Sequence, residues 1–230
     1  MLTLEPIGIV HSPYVSKYDA PRQPGVDDRR HEAVVELMAG RNFEQALEDM
    51  AGIERIWIVS WFHRATTWKP KVLPPRSTHK RGLFATRSPH RPNPIGLSVA
   101  RIVAIDGLRI TIAETDLLDG TPVLDIKPYI PYADSFPGSA AGWVDDDVRS
   151  AVFDVHVDHD VHVMAPADVL DHARRVLALD PDPHPYRRTS MLPDGRRMLA
   201  IRQWRLIYVV DGHDVHIKAI VIGDSNDEMP

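Results

Sequence analysis

Between Lys80 and Ser98 the chain reads KRGLFATRSPHRPNPIGLS, the densest concentration of chemically able residues in the sequence. Pro89, Pro92 and Pro94 stiffen the backbone, Gly96 permits close approach of a ligand, and Arg87, His90, Arg91 and Asn93 supply donors. A loop already ordered before binding loses less entropy when a polar ligand arrives. The plainer alternative is a proline-rich connector. A second segment, DLLDGTPVLDIKPYIPYAD, runs from Asp116 to Asp134. Within it Asp119-Gly120-Thr121-Pro122 is a turn signature whose free backbone amides and carbonyls would suit a small polar ligand. Asp125, Lys127 and Tyr129 alternate, so they share one face of any strand they occupy; a solvated face explains them equally well.

Charge adds to this picture. The 230-residue chain carries a net charge of -5, which alone speaks against an anionic partner. From Arg55 to Ile105, however, no Asp or Glu occurs, while Arg55, Arg64, Lys69, Lys71, Arg76, Lys80, Arg81, Arg87, Arg91 and Arg101 make ten positive charges. The rest of the chain then holds 17 basic against 32 acidic residues. A basic block in an acidic protein is the pattern of a phosphate-binding face. Lys69, Lys71, Lys80, Arg81 and Arg91 are the candidate phosphate contacts, with Arg187, Arg188, Arg196 and Arg197 as a second possibility and a merely solvated surface as the plainer reading.

The chain contains no cysteine, which excludes disulfides, thiolate nucleophiles and cysteine metal sites, and fits a reducing cytosol. Asp154, His156, Asp158, Asp160 and His162 would share one face of a strand from Ala151 to Val163, with His213 and His216 later. Their spacing meets no known tetrahedral or facial ligand set, so no metal is expected. No stretch approaches the roughly 20 apolar residues of a membrane span, and a cytoplasmic protein is expected.

The elements that must carry these residues read as mainly β. Thr3 to Ser12, Ile53 to Phe62 and Val123 to Ile130 are strand candidates. Leu97–Ile105 and Leu108–Thr115 form a hairpin across Asp106-Gly107 of type I′. Asn42 and Gln45 form a possible capping box for a short helix whose Phe43, Ala46, Leu47 and Met50 fall on one face. Six prolines between Lys69 and Pro94 predict an extended loop. Residues 135 to 150 have linker composition. Beyond them Met164 to Asp180 is helical and Arg202–Val210 with Val215–Ile222 form a second hairpin across Asp211-Gly212. Two domains follow, 1–137 and a small α+β domain over 151–230.

FATRSPHRPNPIGLS followed by DGTPVLDIKPY, preceded by PRQPG at Pro21–Gly25 and by the strand ending Trp61-Phe62-His63, resembles the TsaA-like, tRNA methyltransferase O family over about Glu5 to Asp134. The resemblance implies a β-barrel methyltransferase using S-adenosylmethionine, acting as a homodimer with the cofactor near the interface. It implies as acceptor the exocyclic nitrogen of threonylcarbamoyl-adenosine beside the tRNA anticodon. The cofactor contacts that it implies are Pro21, Arg22 and Gln23; His63 and Arg64; Arg87 and Leu97; and Asp119, Gly120, Thr121 and Pro122. No G-x-G-x-x-G follows a strand, which disfavours a Rossmann methyltransferase from the chain's own residues. For the proton that must leave the acceptor nitrogen, the expected helper is one of Asp125, Tyr129 and His63. The basic loop would hold the anticodon arm. LALDPDPHPYRR in the second domain resembles the family less closely. The rivals are a non-catalytic RNA- or adenosine-ligand-binding barrel and a cupin-like metalloenzyme built on the histidine strand.

Overall fold

The computed structural model describes residues 3–16, 20–21, 31–75, 77, 79–146, 153–184 and 188–223. In chain order the first strands are β1 (Gly8–His11), β2 (Glu32–Leu37), β3 (Arg55–Trp61), β4 (Lys71–Val72) and β5 (Arg81–Gly82). They are followed by β6 (Ile95–Asp106), β7 (Arg109–Ala113) and β8 (Pro122–Pro128). The helix α1 (Phe43–Ala46) lies between β2 and β3, a 3-10 turn covers Leu83–Ala85, and α2 (Pro131–Asp134) follows β8. The chain divides into two compact units, residues 1–72 with 80–139, and residues 73–79 with 140–230. The short stretch Leu73–His79 thus interrupts what the sequence reads as one continuous first domain.

Six strands of the first unit close into an antiparallel barrel in the order β1-β2-β7-β6-β3-β8. This is the expected barrel, and no parallel Rossmann sheet is present among the described residues. Period-two alternation builds its core: Val10, Val35, Ile56, Ile58, Ala100, Ile110, Ile112 and Val123 are completely buried. Phe43, Leu47, Met50 and Ile53 pack on that core from outside the strands.

Several expectations are corrected in detail. The first strand is trimmed to four residues between Pro6 and Pro13, the short run to which two residues without an amide to donate confine it. Asn42 does not cap the helix; it sits at φ 58° with its amide on the Gln45 side chain at 2.7 Å, and α1 runs a single turn. The β6–β7 hairpin pairs Asp106 with Arg109, so its two loop residues are Gly107 and Leu108. Gly107 has φ 54° and Leu108 is not among the positive-φ residues, which is the type II′ pattern rather than type I′. The hairpin at Asp211 shifts the same way, onto Gly212 and His213, with Gly212 at φ 59°.

The second unit carries α3 (Trp143–Asp146), β9 (Asp154–Val157), α4 (His159–Met164) and α5 (Ala167–Leu179). The strands β10 (Thr189–Met191), β11 (Arg197–Ile201), β12 (Trp204–Asp211) and β13 (Asp214–Ile222) complete it. Its sheet has the order β10-β11-β12-β13-β9, with β9 parallel to β13. Val169, Leu170, Ala173 and Leu177 form the buried stripe of α5 and share a core with Leu199, Leu206, Tyr208, Val215 and Ile217. The anticipated strand from Ala151 to Val163 stops at Val157, because the Asp158 carbonyl accepts the His162 amide and starts α4. Asp154, His156, Asp158, Asp160 and His162 therefore share no strand face. His156 meets Asp214 at 2.6 Å and stacks on His216 at 4.9 Å between centroids. No group of three or more potential metal ligands occurs among the described residues. No helix among them is long and apolar enough to cross a membrane.

Candidate functional site

Strand register decides which of the singled-out residues meet. Trp61 at the end of β3 pairs with Ile95 at the start of β6, and Ser60 pairs with Val123 at the start of β8. Ile9 of β1 pairs with Pro122. His63 and Arg64, Leu97, and the Asp119–Pro122 turn are thereby carried to one end of the barrel. Arg64 ties this end together, donating to the Val15 carbonyl at 2.7 Å and to the Asp119 carbonyl at 3.1 Å. Leu97 is 60% exposed and offers an apolar surface there. Pro21 is half-buried, while Arg22 and Gln23 lie outside the described residues.

The turn itself differs from the expectation. Thr121 donates to the Leu118 carbonyl and Gly120 has φ 74°, the pattern of a type II turn. Its amides are not free: Asp119 donates to the Tyr14 carbonyl at 2.8 Å and Gly120 to the Val10 carbonyl at 2.9 Å. The Asp119 carboxylate accepts the Ser12 amide at 3.0 Å. The turn is locked onto the exit of β1, so any ligand it serves meets carbonyls and side chains.

Tyr129 is not brought to His63. Asp125 pairs with Val59 on the outer wall, ion-paired to Lys127 at 2.7 Å. Tyr129 donates its amide to the Arg55 carbonyl and packs on Trp57 at 5.7 Å. Arg55 is at the far end of β3, about 20 Å from Trp61 at the usual rise of a strand. Asp125 is level with Leu97, the two flanking Val59, and His63 is edge-on to Trp61 at 6.3 Å.

Sequence reasoning missed what lies beneath this end. Ser60 and Ser98 occupy inward positions of β3 and β6, where alternation calls for apolar side chains, and that was the available signal. Ser98 donates to Asp116 at 2.8 Å. Burial raises the Asp116 pKa above the ordinary carboxylate value, opposed by the Ser98 hydroxyl, its own backbone amide and the Arg87 charge. A carboxyl with a raised folded-state pKa binds its proton more tightly folded than unfolded, so stability falls as pH rises through that window. Asp116→Asn, whose side-chain oxygen still accepts from Ser98, should remove this loss. The melting temperature of the variant should gain on wild type between acid and neutral pH, and a constant difference across that range would refute the assignment.

The basic block divides in the folded chain. Arg55 and Arg101 both bind Glu114, at 2.7 and 3.1 Å. The two guanidinium hydrogen bonds and charges outweigh desolvation and lower the Glu114 pKa, Arg55 contributing most. Arg91 is also engaged, donating to the Thr86 and Ser88 carbonyls at 3.0 and 3.3 Å. Lys69, Lys71 and Lys80 are exposed. The proline segment holds only short regular pieces, a two-residue ladder in which Lys71 pairs with Gly82 and Val72 with Arg81, and the turn Leu83–Ala85. Arg76 lies outside the described residues.

The sequence profile of the tRNA-methyltransferase O N-terminal domain matches residues 9–135. The chain belongs to the tRNA-methyltransferase O family. Its similarity to the Pseudomonas aeruginosa protein RcsF is 36% identity over 220 residues, covering 89% of this chain and 90% of that one. The tRNA (adenine(37)-N6)-methyltransferase of Escherichia coli is 39% identical over 147 residues, 60% of this chain and 62% of the relative. The crystal structure of TrmO from Pseudomonas aeruginosa superposes with a TM-score of 0.60 at 29% identity, over 96% of this chain and 98% of that one. That profile covers His63, Arg64, Leu97 and Asp119–Pro122, which the strand register gathers, and it covers Arg87 as well.

Proposed function

We propose that this member of the tRNA-methyltransferase O family transfers a methyl group from S-adenosylmethionine to the exocyclic nitrogen of an adenine in tRNA. Within that reaction, the acceptor is the nitrogen of threonylcarbamoyl-adenosine beside the anticodon. The observation that carries the reading is the meeting of His63, Arg64, Leu97 and the Asp119 turn at one barrel end, in a chain similar over most of its length to methyltransferases.

The cofactor supplies an electrophilic methyl on a sulfonium, and the displacement needs positioning more than acid-base power. The residues present fit such a ligand. Leu97 gives an apolar face, Arg87 an exposed cation for a carboxylate, and the Arg64-locked turn a fixed polar wall. The transferred methyl forms a bond to nitrogen as its bond to sulfur breaks, and the acceptor N–H proton leaves. We assign acceptance of that proton to His63, which lies at this end of the barrel beside Trp61. Lys69, Lys71 and Lys80 hold the RNA backbone.

Mass spectrometry of nucleosides from tRNA treated with protein and cofactor tests this. Methylated threonylcarbamoyl-adenosine should appear only with tRNA that carries the threonylcarbamoyl group. Equal methyl incorporation into an unmodified transcript would sink the substrate assignment, and no incorporation into either would sink the activity.

A further inference from the structure

A recess of about 390 Å³ opens on the barrel unit between two loops, lined by Thr66, Thr67, Trp68, Arg91, Pro92 and Pro94. None of these residues is among those the family resemblance assigns to the cofactor. We propose that the recess is a binding site for one unpaired RNA nucleotide, whose base stacks on Trp68. The proposal rests on the tRNA reading above and deepens it by adding a second contact to the RNA, apart from the reacting nitrogen.

Four observations support it. The Trp68 side chain is large, planar and 56% exposed, an expensive way to leave an indole unless something covers it. Its backbone is fixed on both sides, because the Thr67 carbonyl lies 3.2 Å from the His90 ring and the Lys69 amide donates to the His90 carbonyl at 3.2 Å. Arg91 is fixed too, held by the Thr86 and Ser88 carbonyls with its guanidinium 5.8 Å from the centre of the Phe84 ring. Aromatic rings and Arg planes are the surfaces on which splayed-out RNA bases stack, and a rigid pair loses little entropy in doing so. The volume falls in the range of small-ligand sites, roughly 300–1,000 Å³, enough for a base with part of its ribose.

Charge selects RNA over other flat ligands. Exposed Lys69 and Lys71 follow Trp68 directly, and no acidic residue occurs anywhere between Arg55 and Ile105. A nucleotide entering the recess therefore brings its phosphates to lysines and meets no carboxylate from the flanking sequence. Thr66 and Thr67 add hydroxyls that can meet a base edge without fixing which base it is.

The test uses the full chain and a labelled anticodon stem-loop RNA, read by fluorescence anisotropy. Trp68→Ala should weaken binding about 5- to 150-fold, the usual loss per stacked base. Trp68→Phe should keep most of the affinity. The slope of log affinity against log salt should stay at the wild-type value, since stacking releases no counterions. Calorimetric affinity for S-adenosylmethionine should not change. Replacing loop nucleotides one at a time by abasic sites should reveal one position that weakens wild type but not Trp68→Ala. Wild-type affinity in Trp68→Ala, a reduced salt slope, or the absence of any coupled position would overturn the proposal. A matching loss of cofactor affinity would overturn it as well, by giving the recess to the cofactor. Methyl transfer to whole tRNA by the wild-type protein is measured alongside. If the wild type transfers methyl while Trp68→Ala is unimpaired in binding, only the recess assignment fails. If the wild type binds the RNA through Trp68 but transfers nothing, the catalytic reading fails instead.

Discussion

Changing Lys69, Lys71 and Lys80 together to Glu should weaken tRNA binding by about two to three orders of magnitude near physiological salt. Each phosphate contact contributes about 0.7 to 0.9 to the slope of log affinity against log salt, so three lost contacts flatten that slope by roughly 2 to 3, and the reversed charges add repulsion. The choice of these three comes from the fold. Arg55 and Arg101 are engaged by Glu114, Arg64 holds the Val15 and Asp119 carbonyls, and Arg91 holds its own loop. Arg101→Gln should for the same reason leave the salt slope alone. Cofactor affinity should move little in the triple variant, because phosphate contacts position the RNA while other residues hold the small ligand. Filter binding across a salt series measures all of this. A folded triple variant with wild-type affinity and slope would move the RNA elsewhere. The second unit is then the alternative, although Arg196 is ion-paired to Asp194 at 2.6 Å and Arg197 to Asp182 at 3.1 Å.

The three lysines also show where sequence reasoning reached and where it stopped. A run without acids is visible in the sequence, but which of its cations stay unpaired depends on a glutamate nine residues beyond its end, at position 114. The barrel strands were legible where β-branched residues alternate, as in Ile56, Ile58 and their partners. β2 was not, since its inward positions begin with Ala33 and its outward Val34 blurs the alternation. Alternation placed Asp125 and Lys127 correctly on a common face. It could not say which face, and barrel closure put them on the outer wall, with Asp125 level with Leu97 across Val59. The Asp119 turn was read correctly as a turn and wrongly as a source of free amides, because its partners at Val10, Ser12 and Tyr14 are more than a hundred residues away. Asp116 and Ser98 are joined by a register that no local pattern encodes.

Gly96→Ala should cost the barrel about 1 to 3 kcal/mol, the range for forcing atoms into a packed interior. Gly96 is buried and pairs with Ser60, and a Cβ there would overlap the Ser60 hydroxyl oxygen and lie 2.9 Å from the tip of the Phe62 ring. Neither neighbour yields easily. Ser60 is fully buried, and the Phe62 backbone is pinned by its amide to the Pro94 carbonyl at 2.7 Å. The substitution strikes the stem of the proline loop, so affinity for the cofactor should fall together with the denaturation midpoint. Ser60 gives the internal control. Its hydroxyl has no hydrogen-bond partner among the described residues, so Ser60→Ala alone should be neutral or stabilising. In the double variant the oxygen that obstructs the new methyl is gone while the Phe62 contact remains. The double variant should therefore be more stable than the sum of the two single changes, by part of the Gly96→Ala loss. Chemical denaturation of all four proteins measures that coupling. Strict additivity would mean that Ser60 does not set the space at Gly96, and an unaltered midpoint for Gly96→Ala would mean that the strand moves aside without strain.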